Sequence, residues 1–272
     1  MAGIIVKGNV TNAMTAQVFV EEMLGLARPQ YNLRKLCRVF DLGNEIIAHI
    51  PIGTSLAGTE QVPENVEAGI NAASFVDLDF ECWKNVVHLV VSTEAELKSK
   101  FNIMQIQVQD GAKDLARMEN KQIAAILAGL TDVSVGNWTS TGNPMDEIMP
   151  TVATLEINGF APDVICMQST VYAWFLANEN IATIYPIGAT AQQGGMVAYL
   201  GNLEIMRDAA LASETAIIGD RKAPFCTLAD GPAVVTEYEG GAKFNKGYAI
   251  AKFIQPQLAM TGAARELTGC LS

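Results

Sequence analysis

The sequence has few of the residues that carry metal and acid–base chemistry. It contains two histidines, His49 and His88, and five widely spaced cysteines without any CxxC pair. The missing CxxC excludes a zinc ribbon and a thioredoxin-type redox motif. HExxH, GxSxG, Walker A and GxGxxG motifs are also absent, and a lone His in a strand-like run is typical of a structural role. We therefore predict a protein that is not an enzyme, with no catalytic residue, no metal site and no cofactor.

Charge is scarce as well, and one sign dominates it. Only 17% of the 272 residues are charged, whereas 50% are hydrophobic, so the chain can bury a core as one large domain or two modest ones. Acidic residues outnumber basic ones by 29 to 18, giving a net charge of −11. Such a surface argues against sequence-directed nucleic-acid binding, because the phosphates of nucleic acid are bound by Lys and Arg. Sparse cysteines, odd in number, predict free and mostly buried thiols in a reducing compartment.

Uninterrupted hydrophobic runs are missing. Before Lys7 the N-terminus offers only three consecutive large apolar residues, which is too short for the core of a signal peptide. The longest uncharged run, Asn180 to Leu203, is broken by Pro186 and several glycines, which would leave polar backbone groups unsatisfied in lipid. The sequence predicts a soluble chain that is not exported and does not enter a membrane.

Basic residues are absent from one long segment. Residues 39–83 contain eight acidic residues and no Lys or Arg, which accounts for −8 of the net charge. Within it Val76, Leu78 and Phe80 alternate with aspartates, a pattern typical of a half-buried strand. Together with a second extended run at 45–52, it predicts a long β-hairpin arm around an excursion rich in Gly and Pro. An acidic hairpin is marginal alone in water, so we expect it to need a partner surface.

The remaining pattern mixes helices and strands. Apolar residues at helical spacing predict a helix from Phe101 to Leu130, in which Gly111 is a weak point. Residues 131–150 read as loops with short strands because they are rich in turn formers. We also predict helices at 12–28, 151–158 and 170–178 (the last capped by Ser169), and strands at 85–91, 162–167, 202–206, 215–218 and 248–254.

The order of these features resembles a known family. An acidic hairpin is followed by a strand, by STEAEL at 92–97, and by a long helix ending in DLARMENKQIAAILAG at 114–129. PDVICM at 162–167, STVYAWFL at 169–176, YLGNLEIM at 199–206 and AIIGDR at 216–221 complete the series. This series is similar to the major capsid proteins of tailed phages and related archaeal viruses, the Hong Kong 97 fold family, over roughly residues 40–268.

The resemblance implies an α+β fold with a defined order of parts. These are an N-terminal arm (1–40), an extended hairpin loop (41–83), a peripheral domain with a long spine helix (84–146), an axial domain (147–235), and return strands of the peripheral domain with a C-terminal tail (236–272).

The resemblance also implies a structural function. Subunits of this family form pentamers and hexamers that close into an icosahedral shell around a double-stranded DNA genome, which they enclose without reading its sequence. The implied location is the virion capsid, assembled in the host cytoplasm. Some members crosslink neighbours through a Lys on the extended loop, but residues 41–83 contain no Lys, so that reaction lacks its nucleophile. Whether separate scaffold, portal and decoration proteins take part stays open.

Charge predicts where the hairpin arm goes. An acidic arm is costly to hold against its own acidic body and becomes favourable on the basic patch of a neighbouring subunit. The expected acidic contacts are Glu45, Glu60, Glu64, Glu67, Asp77 and Asp79, and the expected basic contacts are Lys98, Lys100, Lys113, Arg117, Lys243, Lys246 and Lys252.

Two other functions remain open at this stage. Encapsulins, the nanocompartment shells of bacteria and archaea, share the fold and are close in length, and residues 12–28 could supply the N-terminal helix that binds cargo in them. A small α/β enzyme is the third reading, because residues 146–218 alternate helices and strands. The missing nucleotide and nucleophile motifs argue against that enzyme.

Overall fold

The computed structural model describes residues 21–27, 31–53, 75–92, 103–139, 142–178, 181, 199–240 and 245–271. Its strands, in chain order, are β1 (Cys37–Asp41), β2 (Ile47–Gly53), β3 (Phe75–Glu81), β4 (Trp83–Ser92), β5 (Asp132–Ser134), β6 (Val164–Gln168), β7 (Tyr199–Leu200), β8 (Leu203–Asp208), β9 (Ala216–Gly219), β10 (Cys226–Gly240), β11 (Asn245–Leu258) and β12 (Ala264–Thr268). Its helices are a segment at 21–27, α1 (Ile103–Leu127), α2 (Pro144–Ile157) and α3 (Ser169–Ala177).

The first sheet carries the long helix α1 on one face. Its strand order is β1-β10-β11-β4, with β1 parallel to β10 and the other pairs antiparallel. The N-terminal half of α1 packs on it through Val108, Ala112 and Leu115, which share a buried cluster with Leu89 and Ile250. The apolar stripe predicted for this helix is therefore the surface that it buries, as its 3–4 residue spacing requires.

The predicted hairpin is present and leans on the opposite face of that sheet. β2 and β3 pair antiparallel from Ile47 opposite Glu81 to Gly53 opposite Phe75. Phe80 is 1% exposed and packs with Ala229 and Phe253. Because successive strand residues point to opposite faces, Phe253 points away from α1, whereas Ile250 and Ile254 point towards it. The first sheet thus separates α1 from the base of the hairpin.

The second sheet has the order β5-β12-β9-β6-β8-β7 and is covered on one face by α2 and α3. Ile148 and Leu155 of α2 and Phe175 of α3 share a cluster with Ile165 and Ile218 of the sheet. The other face meets the C-terminal part of α1, and residues of both sheets join in one core there, including Ile123, Leu127, Cys166, Ile217, Phe225 and Ile254.

A polar joint accompanies this shared core. The side-chain oxygen of Asn120 on α1 accepts the backbone N–H of Leu33 at 3.3 Å, and its amide donates to Asp208 on β8 at 3.3 Å. Asp208 in turn accepts the N–H of Ala210 at 2.7 Å. The helix of the first sheet and a strand of the second are therefore held by hydrogen bonds as well as by apolar contact.

Several local predictions need correction. Helix α2 begins at Pro144, inside the stretch predicted as loops, because Asn143 accepts the N–H of Met145 as an N-cap and Pro144 occupies the first turn. The cap of α3 is Gln168, whose side chain accepts the N–H groups of Thr170 and Val171, and not Ser169. Of the predicted helix at 12–28, residues 21–27 are helical and the others lie outside the described residues.

The sheets divide the chain differently from the predicted domains at two places. β10 pairs with β11 from Cys226 onwards, so residues 226–235 lie in the first sheet. β12 pairs with β5 and β9, so the last strand lies in the second sheet. Both differences arise from pairings between residues far apart in the chain, which local patterns do not report.

The thiol prediction is wrong for two of the five cysteines. Cys37 and Cys226 are direct partners in the parallel β1–β10 pair, with Cα atoms 4.6 Å apart, and form a disulfide. Cys82, Cys166 and Cys270 are free and buried, as expected. The argument for a reducing compartment, which rested on free thiols throughout, no longer holds.

Candidate assembly surfaces

The outer face of the hairpin is acidic and exposed. Asp77, Asp79 and Glu81 alternate along β3 on the side opposite Phe80, and each is solvent-exposed. Their partners across the ladder are Pro51, His49 and Ile47 respectively. His49 hydrogen-bonds Asp79 at 2.5 Å, and this contact raises the pKa of the imidazole. This face therefore carries three exposed carboxylates and one weakly basic neighbour.

The root of the hairpin is fastened to its own subunit by polar contacts. Gln257 of β11 donates to the carbonyl of Asp79 at 2.7 Å, and the side chain of Gln255 accepts the N–H of Glu81. In the segment between β1 and β2, the N–H of Leu42 donates to the carbonyl of Asp230 at 2.9 Å. The hairpin base therefore has a fixed starting direction relative to the first sheet. Its tip, residues 54–74, lies outside the described residues.

A buried network of four charges lies beneath this root. Glu119 of α1 contacts Arg34 at 3.3 Å and Lys252 at 3.8 Å, Lys252 contacts Asp230 at 3.0 Å, and Arg34 also pairs with Asp230. Glu119 is 1% and Lys252 7% exposed. Burial raises the pKa of Glu119, and the two cations oppose that rise. Lys252 is thus committed inside its own subunit, so it is not a contact for a neighbour's arm.

The exposed side of α1 carries a row of cations beside two exposed carboxylates, Asp110 and Asp114. Lys113, Arg117 and Lys121 recur every four residues and are all solvent-exposed, so they form one row, here called the α1 basic row. Asp110 pairs with Lys113 at 3.2 Å, whereas Arg117 and Lys121 make no ion pair with any described residue. A groove of about 440 Å³ runs beside the row, and its other wall is formed by Asp208, Ala209 and Ala210.

The acidic hairpin face and the α1 basic row lie on opposite sides of the first sheet. Even-numbered residues of β11, such as Ile250 and Lys252, contact α1, whereas the odd-numbered Phe253, Gln255 and Gln257 contact the hairpin. One subunit therefore presents two electrostatically different surfaces, one acidic and one with a row of cations.

The structure describes part of the predicted contact set. Glu45, Asp77 and Asp79 are exposed on the hairpin, and Lys113 and Arg117 are exposed on α1. Lys246 lies on β11, opposite Val91. The other predicted contacts, Glu60, Glu64, Glu67, Lys98, Lys100 and Lys243, lie outside the described residues. The pairing of these groups between subunits stays a prediction.

Sequence reasoning missed Lys121 and the buried network. Lys121 follows Lys113 and Arg117 at the same helical interval, so the i, i+4 spacing alone could have added it to the set. No local signal marks the network, because Arg34, Glu119 and Asp230 come together only through the sheet and helix packing.

The described residues contain neither a cluster of metal ligands nor a membrane-spanning helix. No group of three or more His, Cys, Asp or Glu side chains is placed to hold a metal ion there. Among the described helices, none is long and apolar enough to cross a membrane.

Comparison with solved structures identifies the fold. The chain is similar to a virus-like particle from Pyrococcus furiosus, with a TM-score of 0.64, 11% identity, and coverage of 91% of this chain and 96% of that chain. The capsid of the cyanophage P-SCSP1u gives a TM-score of 0.67, 13% identity and 88% coverage of both chains. The capsid of a native gene transfer agent (GTA) particle gives a TM-score of 0.64 and 13% identity, with coverage of 89% of this chain and 90% of that chain.

No protein-family model and no curated protein matches the sequence. At identities of 11–13%, the structural matches establish the fold. The chain has the mixed helix-and-sheet fold of Hong Kong 97-type capsid structures. The fold predicted from the order of sequence features is confirmed.

Proposed function

We propose that this protein is the major subunit of a self-assembled icosahedral shell. The observation that carries the proposal is the match of nearly the whole chain, and of nearly the whole length of the solved chains, to three particle-forming proteins. A protein that shares only a domain with capsids would cover less of them. The subunits form pentamers and hexamers, enclose double-stranded DNA, and assemble in the host cytoplasm into a virion capsid.

The hairpin supplies the contact between subunits. Its base is fastened to its own body while Asp77, Asp79 and Glu81 face away from that body. Carboxylates in this position repel one another and gain energy beside the cations of another copy. A closed shell is built from rotations alone, so each subunit turns the same side outward. The arm therefore lies on the hairpin-bearing side of its neighbour.

The position of the arm on the hairpin-bearing side reduces the set of neighbouring cations that it is expected to contact. Lys113 and Arg117 lie on the other side of the first sheet, so they are poorly placed for a neighbour's arm. Lys98, Lys100 and Lys243 remain as the cations expected to receive it. Scaffold, portal and decoration proteins, where they take part, are separate chains.

Negative-stain electron microscopy and light scattering of the purified full chain test the proposal. We expect uniform closed shells or capsomer rings. Material that stays monomeric or dimeric at high concentration contradicts the proposal and favours an enzyme. Mass spectrometry of the particle contents then separates a viral genome with portal protein from the protein cargo of a nanocompartment.

The hairpin contact has its own test. The double variant Asp77→Asn/Asp79→Asn removes two carboxylates from the hairpin, and Asp146→Asn/Glu156→Gln removes two exposed ones from α2. We expect the hairpin variant to need a several-fold higher subunit concentration for assembly, and the α2 variant to assemble like the wild type. Easier assembly of the hairpin variant would mean that the carboxylates repel a neighbour instead of binding it.

A further inference from the structure

We propose that the α1 basic row, Lys113, Arg117 and Lys121, lines the inside of the shell and binds the phosphate backbone of enclosed nucleic acid without sequence preference. This inference rests on the proposed shell function and assigns a partner to a surface that shell formation itself does not explain. It separates the basic row from the hairpin contact and gives each side of the subunit a different partner.

The first argument is the position of the row. The hairpin base covers one side of the first sheet and α1 covers the other. Since the arms of neighbouring subunits overlap on the hairpin side, the α1 side faces the opposite surface of the shell. Arg117 and Lys121 have no ion-pair partner among the described residues, so two cations on this side are available to a ligand.

The second argument is the spacing of the charges. Four residues of α-helix advance about 6 Å, so the row places three cations along about 12 Å. Duplex DNA carries one negative charge per roughly 1.7 Å of its axis, so a row of about 12 Å lies within reach of several phosphates. The far wall of the groove of about 440 Å³ beside the row is formed by Asp208, Ala209 and Ala210. The alanines are small and leave room for a backbone, and the buried Asp208 carboxylate accepts hydrogen bonds from Asn120 and from the N–H of Ala210. Nothing in this arrangement reads a base, so the binding is non-specific.

The distribution of charge indicates which side of the subunit faces the contents of the shell. The segment 39–83 carries eight carboxylates and no Lys or Arg, which is most of the net charge of −11. A shell that encloses a polyanion has lower electrostatic energy when its acidic side faces outward and its cations face inward. The described face of the hairpin carries Asp77, Asp79 and Glu81, so we take the hairpin side as the acidic one and the α1 side as the inner one.

The strength of each site is expected to be low. Lys113 already shares its charge with Asp110, and the remaining chain is acidic. Many copies of the row on one inner surface raise the total affinity through multivalency. Weak individual contacts also let packed DNA slide along the wall.

The first experiment measures DNA binding of dissociated full-length subunits by fluorescence anisotropy with a random-sequence 20-bp duplex across a salt series. We compare the wild type with the triple variant K113Q/R117Q/K121Q. The matched control R38Q/K84Q/K222Q removes three exposed cations elsewhere and changes the net charge equally. The plot of log K against log salt has a negative slope, and we expect the magnitude of that slope to be smaller by about 2–3 in the row variant. The slope of the control should stay near that of the wild type.

Three results overturn the inference. If both variants lose DNA affinity equally, the loss is a general effect of net charge. If the wild type shows no measurable binding at low salt, the row does not bind DNA. Binding of the wild type to an acidic peptide of matched charge, stronger than to the duplex, assigns the row to a protein partner instead.

The second experiment locates the row in assembled, empty particles. A small amine-reactive reagent that passes shell pores and the same reagent coupled to a large polymer are applied to intact particles. Modification of Lys113 and Lys121 is then read by mass spectrometry. We expect the small reagent to label both lysines and the large one to label neither. Labelling by both reagents places the row outside, and labelling by neither places it in a subunit interface, and each result refutes the proposal. Failure to form particles refutes the shell function instead.

Discussion

At the scale of single residues, the buried ionisable groups show how far the fold controls charge. Glu266 on β12 lies directly beside Asp132 on the parallel strand β5 and is only 4% exposed. Burial, and then the negative charge of Asp132, raise the pKa of Glu266 to about 7. Unlike Glu119, which meets two cations, Glu266 has a carboxylate as its charged neighbour across the ladder. Its ionised form is therefore unfavourable in the folded state.

This difference predicts a pH dependence of stability. A raised carboxyl pKa means that the folded protein binds a proton that the unfolded chain has released between about pH 4.5 and pH 7. The free energy of unfolding therefore falls as pH rises through that window. Replacing Glu266→Gln removes the ionisation, and we expect the variant to be more stable than the wild type by up to about 3 kcal/mol at pH 8. Urea unfolding of dissociated subunits at pH 4 and pH 8 measures the gain.

The gain should shrink towards zero at pH 4, where Glu266 is protonated in both states. The exposed Glu156→Gln on α2 is the control and should change little at either pH. An equal effect of Glu266→Gln at both pH values would show that packing, and not ionisation, separates the two side chains.

At the scale of secondary-structure elements, local pattern predicted most of the elements and few of their partners. Alternation along β3 and the apolar stripe of α1 are visible in the sequence because each reports one buried face. The partner of β1 is a strand that begins at Cys226, and only the folded chain brings the two together. Helix α2 was placed too late because Pro144 and Pro150 read as breakers, although one opens the helix and the other is tolerated within it.

Close strand packing predicts the effect of one glycine. Gly247 lies opposite Val90 in the β4–β11 pair, and a Cβ there would overlap the carbonyl oxygen of Leu89. We expect Gly247→Ala to lower the free energy of unfolding by at least about 2 kcal/mol, because backbone atoms of β4 must shift. Gly262→Ala is the matched control, since its Cβ would meet Phe160 at an ordinary 3.6 Å. Thermal unfolding compares them, and equal stability of the two variants would contradict the packing argument.

The disulfide predicts a dependence on reducing agent. It joins β1 to β10 across a sequence separation of 189, so it restricts the unfolded chain strongly. We expect reduction of the wild type to lower the free energy of unfolding by about 2–4 kcal/mol. The double variant Cys37→Ser/Cys226→Ser should have the same free energy of unfolding as the reduced wild type, and the reductant should not change it. Urea unfolding with and without dithiothreitol tests this, and a wild type indifferent to the reductant would mean that the thiols are free in solution.

At the scale of the whole molecule, charge asymmetry was predicted well and its geometry was not. The acidic stretch 39–83 is visible in the sequence, as are the cations of α1. The acidic hairpin and the α1 cations lie on opposite sides of one sheet because alternate residues of β11 face α1 and the hairpin. The sequence shows this alternation, but it does not show which element packs on each face of β11. The sequence therefore predicted the surfaces, and the fold changed the partner that we assign to one of them.

The core shared by the two sheets predicts how the subunit unfolds. Phe225 is fully buried there, between residues of α1, the first sheet and the second. Phe225→Ala removes a large side chain from this junction and should cost about 3–5 kcal/mol. Because both sheets rest on it, we expect the slowly exchanging amides of β6 and of β11 to lose protection by the same factor in native-state hydrogen exchange. Loss confined to one sheet would show that the two sheets open independently and that the shared apolar core does not couple them.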